Sequence, residues 1–330
     1  MNKQKEVNMR IAILGAGNIG GTMARTINGM DNAQCYAVAS RDLQKAEEFA
    51  QKYGIEKAYG SYEEMLSDPL VELVYVATPH SHHYEHMKLC IAHKKPILCE
   101  KAFTANEVQA REVFELAKKE QVFVTEAIWT RFVPMRKTLD ELLASDVIGT
   151  PYMLTANLGY LISQKERIAE PALAGGALLD IGICPLNFAM MAFRGEVEKI
   201  LSTATISEKG VDEQDSMTIM YADGKMAVLH ATTKALTDRM GIISGSKGYL
   251  VVENINNPEE IRVYNTNREE IASYKAPKQI TGYEYEVLAS MKAISEGKLE
   301  CEEMPHEESL RMLHYMDQMR VYWGVKYPFE

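Results

Sequence analysis

The spacing of apolar residues changes about one third of the way along this chain. Before that point, short apolar runs alternate with stretches in which apolar positions recur every three to four residues. Residues 10–14, 34–39, 73–77, 96–99 and 122–125 read as the first, second, fourth, fifth and sixth strands of one sheet. Several are apolar at consecutive positions, the pattern of a strand covered on both faces, and amphipathic helices between them supply the cover. Asp42 is placed to cap a helix running to Tyr53, with Gly54 just beyond its end. Ser61-Tyr62-Glu63-Glu64 and Thr104-Ala105-Asn106-Glu107 have capping-box form, and Asp68-Pro69 stops the helix opened by the first.

Beyond about residue 128 the texture differs. A helix over 135–143 is followed by alternating segments at 152–158, 199–206, 216–221, 226–232, 240–244 and 249–253. Asp223-Gly224 marks a tight hairpin between two of them. A single helix over about 176–193 interrupts the series, and 307–322 is helical again, with Glu307-Glu308 at its start. The fold predicted is α/β: an N-terminal doubly wound parallel sheet over 1–127, then an α+β domain over 128–330 built on a large, mostly antiparallel open sheet. The tail helix 307–322 is placed to pack back on the first domain. Too few helices follow residue 128 to cover so wide a sheet, which predicts a homodimer or larger assembly through that sheet.

Composition narrows the function classes. The chain has 330 residues, a net charge of −10 and 46% hydrophobic residues. An acidic chain without a basic stretch is a poor partner for nucleic acid or an anionic membrane. Its five cysteines, Cys35, Cys90, Cys99, Cys184 and Cys301, are scattered and odd in number, as expected of thiols in a reducing cytoplasm. The opening residues lack the apolar core of a secretory leader, and no apolar run approaches a membrane span. His80, His82, His83 and His86 cluster, but no acid or cysteine is arranged around them, so no metal site is expected. Met190 and Met191 read as core filling.

Gly15-Ala16-Gly17-Asn18-Ile19-Gly20 fits the dinucleotide fingerprint and sits between a buried strand and a helix. The first glycine permits the tight turn, the second lets backbone approach a pyrophosphate, and the third lets helix and strand pack closely. The amides at the helix start and the helix dipole then hold negative charge. At the end of the second strand, NAD sites usually carry an acid for the ribose 2′-hydroxyl. Here Ala39-Ser40-Arg41 stands instead. Ser40 can donate to a 2′-phosphate and Arg41 can pair with it, so NADP is the preferred cofactor and NAD the alternative. Asp42 is either a helix cap or a ribose ligand.

Further stretches carry a resemblance: Val38-Ala39-Ser40-Arg41, Ala77-Thr78-Pro79-His80-Ser81-His82-His83, Cys99-Glu100-Lys101, Glu126 to Phe132, and Gly175-Gly176-Ala177-Leu178-Leu179-Asp180-Ile181-Gly182. With the glycine loop, in this order, they resemble the Gfo/Idh/MocA oxidoreductases, in the dihydrodiol dehydrogenase and glucose–fructose oxidoreductase branch. The resemblance implies hydride transfer between a nicotinamide and a carbon bearing hydroxyl, on a sugar, polyol or cyclic diol. It implies Lys101 as catalytic lysine and Asp180 as an acid lining the substrate pocket. Thr78, Pro79 and His83 match a cofactor-contacting loop, Glu100 a residue beside the nicotinamide ribose, and Trp129 and Arg131 residues near the pocket. A lysine at the carboxyl end of a parallel strand is well placed to exchange the hydroxyl proton or hold the alkoxide.

Two departures stand out. The branch often has Tyr or His four residues after the aspartate, where this chain has Cys184, a weak hydrogen-bond donor. Lys101 then handles the proton alone, or another side chain such as Tyr160 replaces the missing donor. Ala102 stands where proline usually follows Glu-Lys. A nicotinamide-binding redox sensor without turnover, kept open by Cys184, and an NAD-dependent glycoside hydrolase are the alternatives to a dehydrogenase.

Overall fold

The computed structural model describes residues 8–330. The start of the chain, residues 1–7, on which the expectation of no secretory leader rests, lies outside them. Two compact units are present, Met1–Ala127 with Gln279–Ser309, and Ile128–Lys278 with Leu310–Glu330.

The first unit is a six-stranded parallel sheet with helices between its strands. In chain order its elements are β1 (Met9–Leu14), α1 (Asn18–Asn28), β2 (Ala33–Ala39), α2 (Leu43–Tyr53), β3 (Lys57–Tyr59), α3 (Tyr62–Ser67), β4 (Leu73–Val76), α4 (His80–Ala92), β5 (Ile97–Glu100), α5 (Glu107–Glu120) and β6 (Val124–Ala127). The strand order is β3-β2-β1-β4-β5-β6, the doubly wound arrangement that reverses direction between β1 and β4. Strands β4 and β5 are buried at every position, as consecutive apolar residues require when both faces are covered. Asp42 caps α2 by accepting from the Lys45 N–H at 3.3 Å, and Gly54 ends it at φ +69°. Ser61 caps α3.

One expected cap moves. Helix α5 is capped by Asn106, which accepts from the Gln109 N–H, and not by Thr104. Residue 106 is still extended, at φ −156°, so the helix begins two residues later than a Thr104 cap would start it, and the Thr104 hydroxyl instead donates to the Asn106 carbonyl.

The second unit begins with a 3₁₀ turn, Trp129–Arg131, and α6 (Pro134–Ala144). It continues through β7 (Pro151–Gly159), α7 (Glu166–Ala169), a π-helical turn Leu178–Gly182, α8 (Ile183–Ala192), and strands β8 (Val197–Ile206), β9 (Asp212–Tyr221), β10 (Met226–Thr232), β11 (Gly241–Gly245), β12 (Gly248–Glu253), β13 (Glu260–Asn265) and β14 (Glu270–Lys275). These form an eight-stranded sheet of order β14-β13-β12-β11-β7-β10-β9-β8, antiparallel except where β10 runs parallel to β7. The β9–β10 hairpin turns through Asp223-Gly224, with Gly224 at φ +84°. The last two strands, β13 and β14, extend the sheet beyond the segments predicted from alternation.

The faces of this sheet differ. One register row, Ile219–Ala227–Leu154–Ile243–Leu250–Val263, is buried along its whole length. The adjacent row, Leu201–Thr218–Val228–Thr155–Ile242–Val251, points the other way and leaves Leu201 and Val228 exposed. The π turn and α8 contribute the fully buried Leu178, Leu179, Leu186 and Phe188 to the core. The expectation that no apolar run reaches membrane-span length is corrected here. Pro171–Ala192 is long and apolar enough to cross a membrane, and 94% of its most apolar window is buried inside the protein. Apolar residues on all sides, apart from Asp180 and Asn187, are those of a segment enclosed in the core.

After β14 the chain returns to the first unit with α9 (Glu284–Ser295), whose Val287 packs among Leu73, Tyr75, Leu98 and Ala127. The final helix, α10 (His306–Trp323), begins in the first unit and continues in the second. Met190 and Met191 are core residues, and all five cysteines are buried as thiols.

Candidate active site

The carboxyl ends of β1, β4 and β5 lie in one register row, because Leu14 pairs with Val76 and Val76 with Cys99. The next residues, Gly15 and Ala77 beyond their strands and Glu100 as the last of β5, therefore line the same edge of the sheet. Two glycines of the β1–α1 turn have distinct steric reasons. Gly15 has φ +113°, and a Cβ there would come within 2.9 Å of the Ala77 carbonyl oxygen. At Gly20 a Cβ would lie 2.7 Å from the Gly15 carbonyl, so helix and turn could not close. Gly17 is different: a Cβ would meet only the Ala77 carbonyl, at 3.9 Å. Nothing in the protein needs Gly17 to be bare, which leaves room for a ligand against the backbone. Gly17 is also the N-cap of α1, and no side chain caps that helix. Uncapped amides at a helix start attract an anion. The turn Gly15-Ala16-Gly17-Asn18-Ile19-Gly20 thus fits a dinucleotide diphosphate.

At the end of β2, Ser40 is buried and its hydroxyl accepts from the Asp42 N–H at 3.3 Å. Asp42 is engaged as the α2 cap. Arg41 is exposed and borders a cavity of about 630 Å³ with Tyr62, His86 and Lys88. Burial, then the charges of His82, His83 and Arg41, hold the His86 imidazole down to about 4, so it is neutral at pH 7.

The loop after β4 is braced from behind. His83 is fully buried, and its ring nitrogens lie 2.7 Å from the Thr78 carbonyl and 2.9 Å from the Ala102 carbonyl. The ring lies between the Thr78-Pro79 loop and the turn after Lys101, and as a neutral imidazole it donates its one N–H to one of the two carbonyls. Burial depresses its pKa to about 4. The Thr78 hydroxyl is 3.0 Å from His86 Nδ1. Lys101 follows β5 and is part-exposed, and the Lys101–Ala102 peptide is cis. Glu100 is buried and accepts a hydrogen bond from the Tyr75 hydroxyl.

In the second unit, Asp180 lies in the π turn, 4% exposed, and is ion-paired with Arg167. A π turn widens the helix by one residue and is frequent at functional sites. Asp212 secures the start of this segment by accepting from the Leu178 N–H at 2.6 Å. Burial raises the Asp212 carboxyl to about 6. Cys184, in the first turn of α8, is buried. Tyr160 follows β7, with its N–H on the Thr232 carbonyl. Trp129 donates from its indole to Asn256, and the buried Arg131 donates to Asn187 Oδ1 at 2.6 Å. Among the described residues no group of three or more His, Cys, Asp or Glu is disposed to hold a metal. Arg167, Asn187, Tyr75 and Asp212 were not singled out from sequence. Each works through a partner distant in the chain, and no local pattern marks it.

A diphosphate-binding turn at the switch point of a doubly wound sheet, with a lysine at a neighbouring strand end, defines a nicotinamide-dependent oxidoreductase. The oxidoreductase family model with an NAD-binding Rossmann fold matches residues 9–128, and the GFO/IDH/MocA C-terminal domain model matches 137–251. The chain belongs to the GFO/IDH/MocA family and is an NAD(P)-binding oxidoreductase. It is 35% identical over 309 residues to trans-1,2-dihydrobenzene-1,2-diol dehydrogenase of Xenopus tropicalis, covering 92% of this chain and 93% of the relative. To the dehydrogenase of the same name from Homo sapiens it is 34% identical, with coverage of 89% and 90%. Among solved structures, a 3-ketoreductase from Actinomadura kijaniata in complex with NADP and TDP-benzene superposes with TM-score 0.86 at 21% identity, over 95% of this chain and 97% of that one. An aldose-aldose oxidoreductase from Caulobacter crescentus, complexed with glycerol, gives TM-score 0.85 at 19% identity and the same coverage.

The open space over Gly17 yields a sharp expectation. Gly17→Ala leaves the thermal midpoint of the apoprotein within about 2 °C, since ordinary contact replaces empty space, yet weakens coenzyme binding by about tenfold or more. Calorimetric titration beside a melting curve checks it; equal affinity for the variant would remove Gly17 from the coenzyme site.

Proposed function

We propose that this chain is a dehydrogenase of a sugar, polyol or cyclic diol, with NADP as its preferred coenzyme and Lys101 as the group that handles the alcohol proton. The carrying observation is the lysine directly after β5, one residue past Glu100 on the strand-end row shared with the diphosphate turn. The nicotinamide, when bound, supplies or accepts the hydride. Lys101 Nζ takes the hydroxyl proton or holds the alkoxide as the C–H bond breaks. Asp180, its carboxylate oriented by Arg167, accepts a hydrogen bond from a substrate hydroxyl. The buried Cys184 thiol is a weak donor, which leaves the proton to Lys101 or to Tyr160.

The absence of an acid placed for a ribose 2′-hydroxyl supports NADP, because Asp42 is committed to its helix while Arg41 faces open space. The diol dehydrogenases among the relatives support a vicinal hydroxyl pair as the substrate class. The exposed row containing Leu201 and Val228 supports pairing with a second copy of the chain through the open sheet face. The thiols suit a reducing cytoplasm.

Three measurements test the reading. Lys101→Ala abolishes reduced-nicotinamide formation across a panel of sugars and diols while coenzyme affinity stays within about threefold; a fully active variant removes the lysine from the mechanism. Binding of coenzyme without turnover by the unaltered protein would favour a sensor, and glycoside cleavage without net reduction a hydrolase. Arg41→Ala lowers kcat/KM with NADP by about tenfold to a hundredfold and hardly changes it with NAD, as loss of a charge-assisted contact to the 2′-phosphate requires. Light scattering shows at least a dimer at micromolar concentration, and a monomer would refute the sheet-face pairing.

A further inference from the structure

Behind the nicotinamide end of the strand row lies an acid that the mechanism above does not use. Glu286, in the first turn of α9, is 0% exposed, and neither carboxylate oxygen has a hydrogen-bond partner. An ionised carboxylate buried without a partner costs several kcal/mol, so such a group holds its proton instead. The sheet register shows what it faces. Tyr75 pairs with Leu98, and Ala127 with Glu100. Tyr75, Leu98 and Ala127 belong to the same core face as Val287 of α9. Glu100 follows Leu98 by two residues, so it points to that face as well. There it accepts from the Tyr75 hydroxyl. Burial and then the charge of Glu100 push the Glu286 pKa well up. The other titratable groups that feel its charge are Tyr75 and Cys301, and Tyr283 in turn acts on Tyr75. The Cys301 thiol is pushed up to about 12 and stays protonated, and burial likewise raises Tyr75. Glu126, on β6, points to the opposite face, held by the Phe103 N–H and the Ser309 hydroxyl.

We infer that Glu286 carries a proton in the folded protein while Glu100 stays ionised, and that this pair of acids releases the proton when oxidised coenzyme binds, so that Glu286 is a positioning residue that tunes discrimination between oxidised and reduced nicotinamide. This rests on the proposed reading, in which Glu100 adjoins the nicotinamide ribose. The oxidised ring carries a positive charge and the reduced ring carries none. A cation near Glu100 favours the doubly ionised pair, and the displaced proton passes to solvent. A neutral ring leaves the proton in place. Linkage fixes the sign. The pair binds its proton more tightly than an ordinary carboxyl, so raising the pH strips it, and the ratio Kd(NADP⁺)/Kd(NADPH) falls as pH rises. The 2′-phosphate is common to both coenzymes and cancels in that ratio.

The test is calorimetric titration of the full-length protein with NADP⁺ and with NADPH, from pH 6 to 9.5, in buffers of different ionisation enthalpy. The ratio is expected to fall by about tenfold or more, with net proton release on NADP⁺ binding only. Glu286→Gln keeps the shape, cannot ionise, and should flatten the ratio to within about twofold while both coenzymes still bind. Deprotonation of Lys101 would produce a slope of the same sign. A slope that survives in Glu286→Gln therefore belongs to the lysine and overturns the inference. Should the variant not fold, infrared difference spectra of the unaltered protein decide: the protonated-carboxyl band is lost with NADP⁺ and kept with NADPH, and its persistence with both overturns the assignment. Failure of either coenzyme to bind the unaltered protein would instead overturn the functional reading.

Discussion

Helix α1 begins without a side chain to satisfy its amides, and the rest of the first unit is arranged around that deficit. A helix start normally recruits Ser, Thr, Asp or Asn, at a gain of about 1 kcal/mol. Asp42, Ser61 and Asn106 do so for α2, α3 and α5. At α1 the cap is Gly17, so the helix keeps its donors for a ligand. The cost is tolerated because α1 is anchored by buried Met23, Ala24 and Ile27 on the sheet. The neighbouring glycines are then set by contact: Gly15 by the Ala77 carbonyl and Gly20 by the Gly15 carbonyl.

The same edge collects the rest of the chemistry through strand register. Parallel pairing places the ends of β1, β4 and β5 side by side, so residues far apart in sequence share one row. Buried groups hold that row in position. His83 sits between the Thr78 and Ala102 carbonyls and donates to one of them, and Tyr75 donates to Glu100. These contacts are made in an apolar interior, where a polar group without its partner would be costly, so they fix geometry more firmly than surface pairs would. In the second unit the equivalent device is the π turn, started by Asp212 and carrying Asp180 to Arg167. Cys184 and Glu286 are two further buried groups that titrate. A weak donor stands beside the aspartate, and a buried acid stands behind the strand that leads to Lys101.

The sequence alone determined the parts whose cause is local. Consecutive apolar runs gave the parallel strands, because a strand covered on both faces leaves few polar positions. The glycine turn, the Asp42 and Ser61 caps and the Asp223-Gly224 hairpin followed from backbone geometry that few residues adopt. The coenzyme turn was legible because its motif is contiguous and its glycines answer to local backbone geometry. Tertiary structure decided what depends on distant partners. The return of α9 to the first unit, and with it Glu286, left no local trace, because its burial comes from strands some two hundred residues earlier. The strands β13 and β14, the pairing of Asp180 with Arg167 and the choice of Asn106 over Thr104 as a cap were likewise fixed by packing and register, which periodicity does not encode. The apolar segment 171–192 shows the limit most plainly: a membrane span and an enclosed core helix have the same composition, and only the neighbours that bury it tell them apart.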